Sequence, residues 1–356
     1  MFQTDFKYLL VWLIPLFGFA GFYFQSWLSP GSFYLGFVII PFLEFFMPVD
    51  SNNDDEGVKS SKAENKFFDV LLCLNLPVLY GLLFYFIYIL NTQSLHVTTW
   101  IFLVLNMGVL LGVMGINVAH ELGHRNNWFD QMVTQMLLLP CLYMHFTQQH
   151  NFWHHKYVAT PLDPATARKN ETIYAFWLRS IFGGIVNAIK LEKRILKESN
   201  LPFLHWTNKL LLQFTIQIFY LYLIWFFVGW TGLISVFLAA VIAILLLETI
   251  NYIEHYGLMR KEIDPGHFEK VNQLHSWNSD HSLGRIFLYE LTRHPHHHEK
   301  TSVKYQNLES LAESPQLPFG YPASLLMSLV PVLWFRVMNK KLVPKAFGSN
   351  RQRAIG

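Results

Sequence analysis

Residues 97–124 of the chain read VTTWIFLVLNMGVLLGVMGINVAHELGH. The first part, residues 97–118, is almost wholly apolar and has the length of about 20 residues that a helix needs to cross a bilayer. The last five residues carry His120 and His124, and their spacing of four places both imidazoles on one helical face about 6 Å apart. This stretch therefore predicts a membrane helix that presents two metal ligands where it leaves the membrane.

The composition of the whole chain is that of a membrane protein. Hydrophobic residues make up 52% of the 356 residues and charged residues only 14%, whereas soluble domains average about 25% charged residues. A soluble globule could not hide so much apolar surface, and a disordered chain would be far more polar. Two cysteines exclude a disulfide scaffold and a four-cysteine metal site, and a net charge of +3 gives no sign of nucleic-acid binding.

We predict an all-α membrane protein that forms a single integral-membrane domain over residues 1–356. Its six transmembrane helices are expected at approximately residues 8–25, 33–47, 70–90, 97–118, 210–228 and 230–247. None of the 27 Lys and Arg residues lies in the connections after the first, third and fifth of these spans. By the positive-inside rule, both termini and the segments 119–209 and 248–356 are then cytoplasmic. These two segments should form a helical cytoplasmic cap that carries the histidine clusters.

The chain has sixteen histidines, and most of them are clustered. They form three clusters and one single site at the same predicted membrane face: HELGH at 120–124, HNFWHH at 150–155, HPHHH at 294–298 and His255. In the second cluster His150 and His154 are four residues apart and should share one helical face. Burial of so many imidazoles without a metal would leave ring nitrogens unpaired. Their number exceeds any single-metal site and fits two ions, and imidazole suits iron, copper, zinc and nickel alike.

The third cluster should place its histidines on two sides of a short helix. Pro295 fits the first helical position, with His294 as the N-cap. His297 and His298 then lie on the same side as His294. His296 is rotated from His294 by about 200° and should point away from the metal.

The HELGH cluster taken alone has a second interpretation. An HExxH pattern on a helix also occurs in zinc proteases, where the glutamate is the general base. An intramembrane zinc protease would need a further ligand from a later span, for which Glu248 is a weak candidate. This alternative leaves the other histidine clusters unexplained.

As a set, these motifs resemble those of the integral-membrane alkane hydroxylases, also called alkane 1-monooxygenases. The resemblance includes NYIEHYGL at 251–258, ATPLDPATAR at 159–168 and HSWNS at 275–279 as well as the three clusters. It covers most of the chain, from the first span to about Val343. The wider histidine-rich di-iron group also contains xylene monooxygenase and the acyl desaturases, but the desaturases do not share NYIEHYGL.

The resemblance implies two iron ions held by nine histidines: His120, His124, His150, His154, His155, His255, His294, His297 and His298. How the nine divide between the two irons cannot be read from the sequence. Glu121, Asp163 and Glu254 are candidate acceptors that orient the ring N–H groups of the ligands. The chain departs from the family pattern at His296, where an acidic residue is usual, and at Asp280, where asparagine is usual.

The activity that the resemblance implies is hydroxylation of the terminal methyl group of medium-chain alkanes to primary alcohols, with O2 as co-substrate. A xylene-monooxygenase-like or acyl-desaturase-like activity is the alternative within the same group. Electrons would come from rubredoxin and rubredoxin reductase, because the two cysteines cannot build a rubredoxin centre. An alkane would enter a lateral apolar pocket from the lipid and bind through burial, at about 0.8 kcal/mol per methylene. The resemblance and the charge pattern imply the bacterial inner membrane.

Overall fold

The computed structural model describes residues 3–346, with side chains described over residues 5–342. The chain is mostly helical, as predicted, and its one sheet within the described residues pairs Glu262–Asp264 with His267–Phe268 in antiparallel. The longest apolar helices are Asp5–Phe24, Gly31–Phe46, Lys66–Thr92, Val97–Gly123 and Lys209–His255. The other helices are Glu56–Glu64, Trp128–Leu138, Phe146–Gln149, His150–His154, His155–Tyr157, Ile173–Glu198, Ser282–Phe287, His294–Glu299, Tyr321–Ser328 and Pro331–Ala346.

Among the described residues, four helices are long and apolar enough to cross a membrane: Asp5–Phe24, Lys66–Thr92, Val97–Gly123 and Lys209–His255. The predicted fifth and sixth spans, 210–228 and 230–247, lie in the last of these, a helix of 47 residues. Its non-helical residue Gly229 divides it into two helices, residues 209–228 and 230–255, which lie side by side, because the adjacent residues Tyr143 and Met144 contact Glu248 on one and Gln217 on the other. At Gly229 φ is 74° and ψ is −163°, a conformation that glycine adopts without steric cost.

The predicted second span, 33–47, lies in the shorter apolar helix Gly31–Phe46. At about 24 Å this helix falls short of the hydrocarbon core of about 30 Å. The structure therefore agrees with separate fifth and sixth helices that meet at Gly229, whereas the predicted second span is shorter than a full crossing. The count of six crossings and the cytoplasmic position of the cap stay predictions.

The Val97–Gly123 helix is the central element of the bundle, since 72% of the residues in its 18-residue apolar stretch are buried. Gly108 allows it to approach the Lys209–His255 helix closely, because a Cβ atom at this glycine would lie 2.6 Å from Cβ of Ile242. Small residues at helix crossings are how membrane helices reach such close contact. The crossing fixes the helix that ends in HELGH against the helix that ends in His255.

A buried network of charges holds the segment that precedes the third histidine cluster. Oε2 of Glu290 accepts a hydrogen bond from Nε of Arg285 at 2.7 Å, and its Oε1 accepts one from the hydroxyl of Tyr8 at 2.7 Å. Nζ of Lys7 lies 3.5 Å from the same carboxylate. Burial alone would raise the pKa of Glu290, but the neighbouring cations outweigh it and lower the pKa to about 2. The N-terminal helix is thereby tied to the residues that lead into His294.

Candidate metal centre

The nine histidines singled out by the motifs come together in the fold and divide into two groups. In each group, one ring nitrogen from every member lies within 4.8 Å of the others. The five-histidine group consists of His120, His124, His150, His155 and His297. The four-histidine group consists of His154, His255, His294 and His298. The sequence left this division open, and the fold makes it five and four.

The ring nitrogens approach one another as the ligands of one ion do. Nε2 of His155 lies 2.9 Å from Nε2 of His150 and 3.3 Å from Nε2 of His124. In the other group, Nε2 of His255 lies 3.3 Å from Nε2 of His294. Two imidazoles that bind one ion at about 2.1 Å and at a right angle have their nitrogens about 3 Å apart. The observed separations therefore suit coordination by a shared ion.

The chemical state of the imidazoles also fits metal binding. Nε2 atoms of His120, His154 and His297 are buried and have no hydrogen-bond partner among the described residues. A buried polar atom in that position is costly unless another group binds it. Burial and neighbouring histidines lower the pKa of His124 to about 4 and that of His297 well below its usual value. The rings are therefore neutral near pH 7, which is the form that coordinates a metal.

The second cluster does not follow the α-helical prediction. Residues 150–154 form a π-helical turn, in which the backbone N–H of His155 donates to the carbonyl of His150, five residues earlier. The wider turn brings His150 and His155 into the five-histidine group and leaves His154 in the four-histidine group. The ring centres of His150 and His154 are 5.1 Å apart, as expected of residues that share a face, but the two histidines belong to different groups. Turns of the π-helical type are rare and are frequent at functional sites.

The third cluster serves both groups as well. Its helix, His294–Glu299, begins one residue earlier than predicted, with Arg293 at the N-cap position. His294 and His298, four residues apart, belong to the four-histidine group, whereas His297 belongs to the five-histidine group. The three histidines lie close together, as predicted, and the side that they share serves both groups.

Both residues at which the chain departs from the family pattern lie outside the two groups. Nδ1 of His296 accepts the backbone N–H of Glu309 at 2.9 Å, so its ring faces away from the other histidines, as predicted. Oδ2 of Asp280 accepts the hydroxyl of Ser310 at 2.7 Å, and its Oδ1 lies 3.6 Å from Nε of Arg293. Asp280 thus supports the residue that precedes the third cluster.

Two of the three acidic residues expected to orient imidazoles contact a histidine of the groups. Oδ2 of Asp163 lies 2.9 Å from Nδ1 of His154, and Oε2 of Glu254 lies 3.2 Å from Nε2 of His294. Burial would raise the pKa of Asp163, but His154 and a hydroxyl donor outweigh it, so the pKa lies below its usual value. Asp163 is in the position that fixes the tautomer and orientation of a metal-binding ring, because it contacts Nδ1 and leaves Nε2 of His154 unpartnered, whereas Glu254 contacts His294 at Nε2, the nitrogen that faces His255.

The expectation for Glu121 was wrong. Its carboxylate accepts Nη2 of Arg125 at 3.3 Å and the backbone N–H of Tyr305 at 3.3 Å, and it contacts no ring nitrogen of the described histidines. A glutamate held in this way does not face the metal groups as the base of a zinc protease would. Glu248, the weak ligand candidate of that alternative, accepts the hydroxyl of Tyr143 at 2.9 Å and belongs to neither group.

Some groups that hold the histidines gave no signal in the sequence. Nδ1 of His255 lies 3.3 Å from the carbonyl oxygen of His275 and 3.4 Å from Oγ of Ser276. The hydroxyl of Tyr321 donates to Oε1 of Glu254 at 3.0 Å. The first of these contacts comes from the HSWNS motif. Nothing in that motif indicates that its backbone contacts a histidine 20 residues earlier in the chain. These contacts leave Nε2 of His255 directed toward the other rings.

An apolar cavity reaches the histidines. Most of its wall is formed by aliphatic residues, phenylalanine, glycine and proline. The polar residues in the wall are His120, His150, His294, Glu254, Asn117 and Asn251. A cavity of this composition suits an apolar molecule with one end at the histidines.

The comparisons with known proteins agree with this architecture. Residues 95–325 match the fatty acid desaturase family. The chain is 34% identical over 348 residues to alkane 1-monooxygenase 2 of Pseudomonas aeruginosa, which covers 93% of this chain and 90% of that protein. It is 35% identical over 311 residues to the alkane 1-monooxygenase of Pseudomonas putida, which covers 87% and 77% respectively. The chain belongs to the alkane 1-monooxygenase family.

Membership of the alkane 1-monooxygenase family makes this chain an oxidoreductase of the monooxygenase type, as the motifs indicated. The chain is also 29% identical over 344 residues to the hydroxylase component of a xylene/toluene monooxygenase of Pseudomonas putida, covering 94% of this chain and 88% of that protein. The family and the long apolar helices together describe a multi-pass membrane enzyme whose histidine groups suit metal ions.

Proposed function

We propose that this enzyme is a di-iron monooxygenase that hydroxylates the terminal methyl group of medium-chain alkanes to primary alcohols. The observation that carries the proposal is the apolar cavity that reaches His120, His150 and His294. The first two belong to the five-histidine group and the third to the four-histidine group. A molecule in the cavity would therefore meet both groups at one end, which suits a substrate without polar atoms.

We assign the members of both groups as the iron ligands: His120, His124, His150, His155 and His297 for one ion, and His154, His255, His294 and His298 for the other. Neutral imidazole is a ligand that iron accepts. When bound, the two irons would supply the reduction of O2 and the oxidation of the C–H bond, which no side chain can perform. The part of the protein is to hold the ions, present the substrate and exclude water.

The cavity can bind an alkane through burial alone. Removal of the six methylenes of octane from water contributes about 5 kcal/mol, at about 0.8 kcal/mol each. Such contacts do not distinguish one C–H bond from another. The histidines form part of the cavity wall, and a linear molecule that enters with one end toward them would present its methyl group to them first. This supports hydroxylation at the terminal carbon.

A second apolar cavity supports entry from the bilayer. It is lined mainly by leucine and aromatic residues. Four residues line both cavities: Phe37, Val109, Leu246 and Leu325. A route through the second cavity would take an alkane from the lipid, where it accumulates, to the histidines without passage through water.

The electrons must come from a partner protein. A rubredoxin centre takes four cysteines, and the chain has two, Cys73 and Cys141. We infer that a rubredoxin, reduced by rubredoxin reductase, supplies them at the cytoplasmic face. The one-sided placement of Lys and Arg supports the bacterial inner membrane, with both termini and the metal centre cytoplasmic.

The proposal is tested with the full chain, purified in detergent and supplied with iron, rubredoxin, rubredoxin reductase, NADH and O2. We expect octane to give 1-octanol with one oxygen atom from labelled O2, and His297→Ala to give none. Faster oxidation of p-xylene or of a fatty-acyl substrate under the same conditions would favour the alternative members of the group. Active protein that contains zinc as its sole metal would refute the proposal.

A further inference from the structure

The two histidine groups differ in the carboxylates around them. Asp163 contacts His154 at 2.9 Å and Glu254 contacts His294 at 3.2 Å, and both of these histidines belong to the four-histidine group. Among the described side chains, these are the only carboxylates within 4.0 Å of a ring nitrogen of the nine histidines. The five-histidine group therefore has more imidazoles but no carboxylate in contact with them.

Asp163 is held as an acceptor. Its Oδ1 accepts the backbone N–H of Ala165 at 3.1 Å, and its Oδ2 accepts the hydroxyl of Thr166 at 2.7 Å. That hydroxyl oxygen itself accepts the backbone N–H of Ala159 at 2.8 Å, so its proton is directed to the carboxylate. The remaining contact of Asp163 is Nδ1 of His154, which must then carry the proton.

In this tautomer Nε2 of His154 carries no proton, and its lone pair is free to bind a metal ion. Nε2 is buried and has no hydrogen-bond partner among the residues that the structure describes. An imidazole that donates its other N–H to a carboxylate is a stronger ligand than one that donates to water or to a carbonyl. The carboxylate would lie one ring away from an ion bound at Nε2, and its charge would act on that ion through buried groups.

We propose that the four-histidine position binds iron more tightly than the five-histidine position, fills first and empties last, and that Asp163 is the positioning residue responsible. The proposal rests on the proposed two-iron function. It predicts that contact with a carboxylate raises the iron affinity of a group more than one additional imidazole does. The five rings of the five-histidine group are uncharged ligands without an anionic partner.

The test is stepwise loading of the metal-free full chain with ⁵⁷Fe(II), followed by Mössbauer spectroscopy. In the wild type, we expect the first equivalent of iron to fill one spectral component and the second equivalent to fill another. Asp163→Asn should lower the iron affinity of the first component by about 10–100-fold, so that the first equivalent divides between the two or goes to the other. His297→Ala should instead remove the component that fills second.

The matched control is Glu248→Gln, which makes the same change from carboxylate to amide. Glu248 is as buried as Asp163, but its partners are Tyr143, Ser180 and Asn251 rather than a histidine. This variant should keep the loading order of the wild type. Thr166→Val, which removes one donor to Asp163 and leaves its charge, should shift the order in the same direction to a smaller extent.

An unchanged loading order in Asp163→Asn would overturn the inference, as would equal loss of both components in that variant while Glu248→Gln retains both. If Asp163→Asn does not fold, Thr166→Val decides, and an unchanged affinity of the first component there would also overturn the inference. Failure of the wild type to bind two irons would refute the proposed function itself, and the wild-type iron count reports that separately.

Discussion

Replacement of Leu325 by tryptophan should shorten the alkanes that the enzyme accepts. Leu325 is 7% exposed and lines both the cavity that reaches the histidines and the second apolar cavity beside it. An indole at this position would narrow the junction, so that an alkane would have to fit into the first cavity alone. Substrates short enough to fit there should be almost unaffected, and longer substrates should lose the contacts of their far end.

The size of the effect follows from the number of methylenes excluded. Dodecane has four methylenes more than octane, and their loss from the protein interior corresponds to about 3.2 kcal/mol at about 0.8 kcal/mol each. At about 1.4 kcal/mol per factor of ten, the ratio of kcat/KM for dodecane to that for octane should fall about 200-fold.

The assay is competition between octane and dodecane in one reaction, with gas chromatography of 1-octanol and 1-dodecanol. The control is Leu333→Trp, at a residue that is 45% exposed and is not part of the wall of either cavity. An unchanged product ratio in Leu325→Trp at wild-type rates would mean that substrate does not pass the junction. An equal fall for both alkanes would show damage at the centre and would likewise refute the reasoning.

Three further predictions concern the ligands, the fold and the topology. His296→Asp should keep the iron and most activity, because this ring lies outside both groups, whereas His297→Ala should lose the activity and the iron of the five-histidine group; iron counts per purified chain decide. Glu290→Gln removes the buried carboxylate that pairs with Arg285 and should lower the free energy of unfolding by about 3–5 kcal/mol near pH 7. The pKa of Glu290 is about 2 in the folded protein, against a usual value of 4.5. The difference in unfolding temperature between wild type and Glu290→Gln should therefore shrink as the pH falls below 4.5. A difference that does not change with pH would contradict this cause. In a cysteine-free background, a cysteine at Gln93 should react with an impermeant reagent in intact cells and one at Asn170 should not; the opposite labelling would invert the topology.

The parts of the centre that the sequence predicts are those that depend on local geometry. His120 and His124 lie on an α-helical segment, and their ring centres are 5.2 Å apart, close to the distance expected from a spacing of four. The outward direction of His296 follows from the same rule applied to the third cluster. The long apolar helices are equally local, because length and composition suffice to identify them.

The parts that failed depend on packing or on a competing partner. Nothing in HNFWHH distinguishes an α-helical turn from the π-helical turn at 150–154, so His155 could not be paired with His150 in advance. Glu121 failed for another reason, because Arg125 lies four residues later on the same helical face and forms an ion pair with it at 3.3 Å. That spacing is a signal for an ion pair, and it was present in the sequence.

The division of the histidines shows that the sequence clusters are not the structural units of the centre. His154 and His155 are adjacent in sequence but belong to different groups, and so do His297 and His298. Adjacent residues on a helix project about 100° apart, so one turn of backbone can serve two ions. The ring centres are 5.9 Å apart in the first pair and 5.8 Å apart in the second. Two separate helical segments therefore give the two groups the same spacing, and neither group contains a carboxylate from the residues that the structure describes.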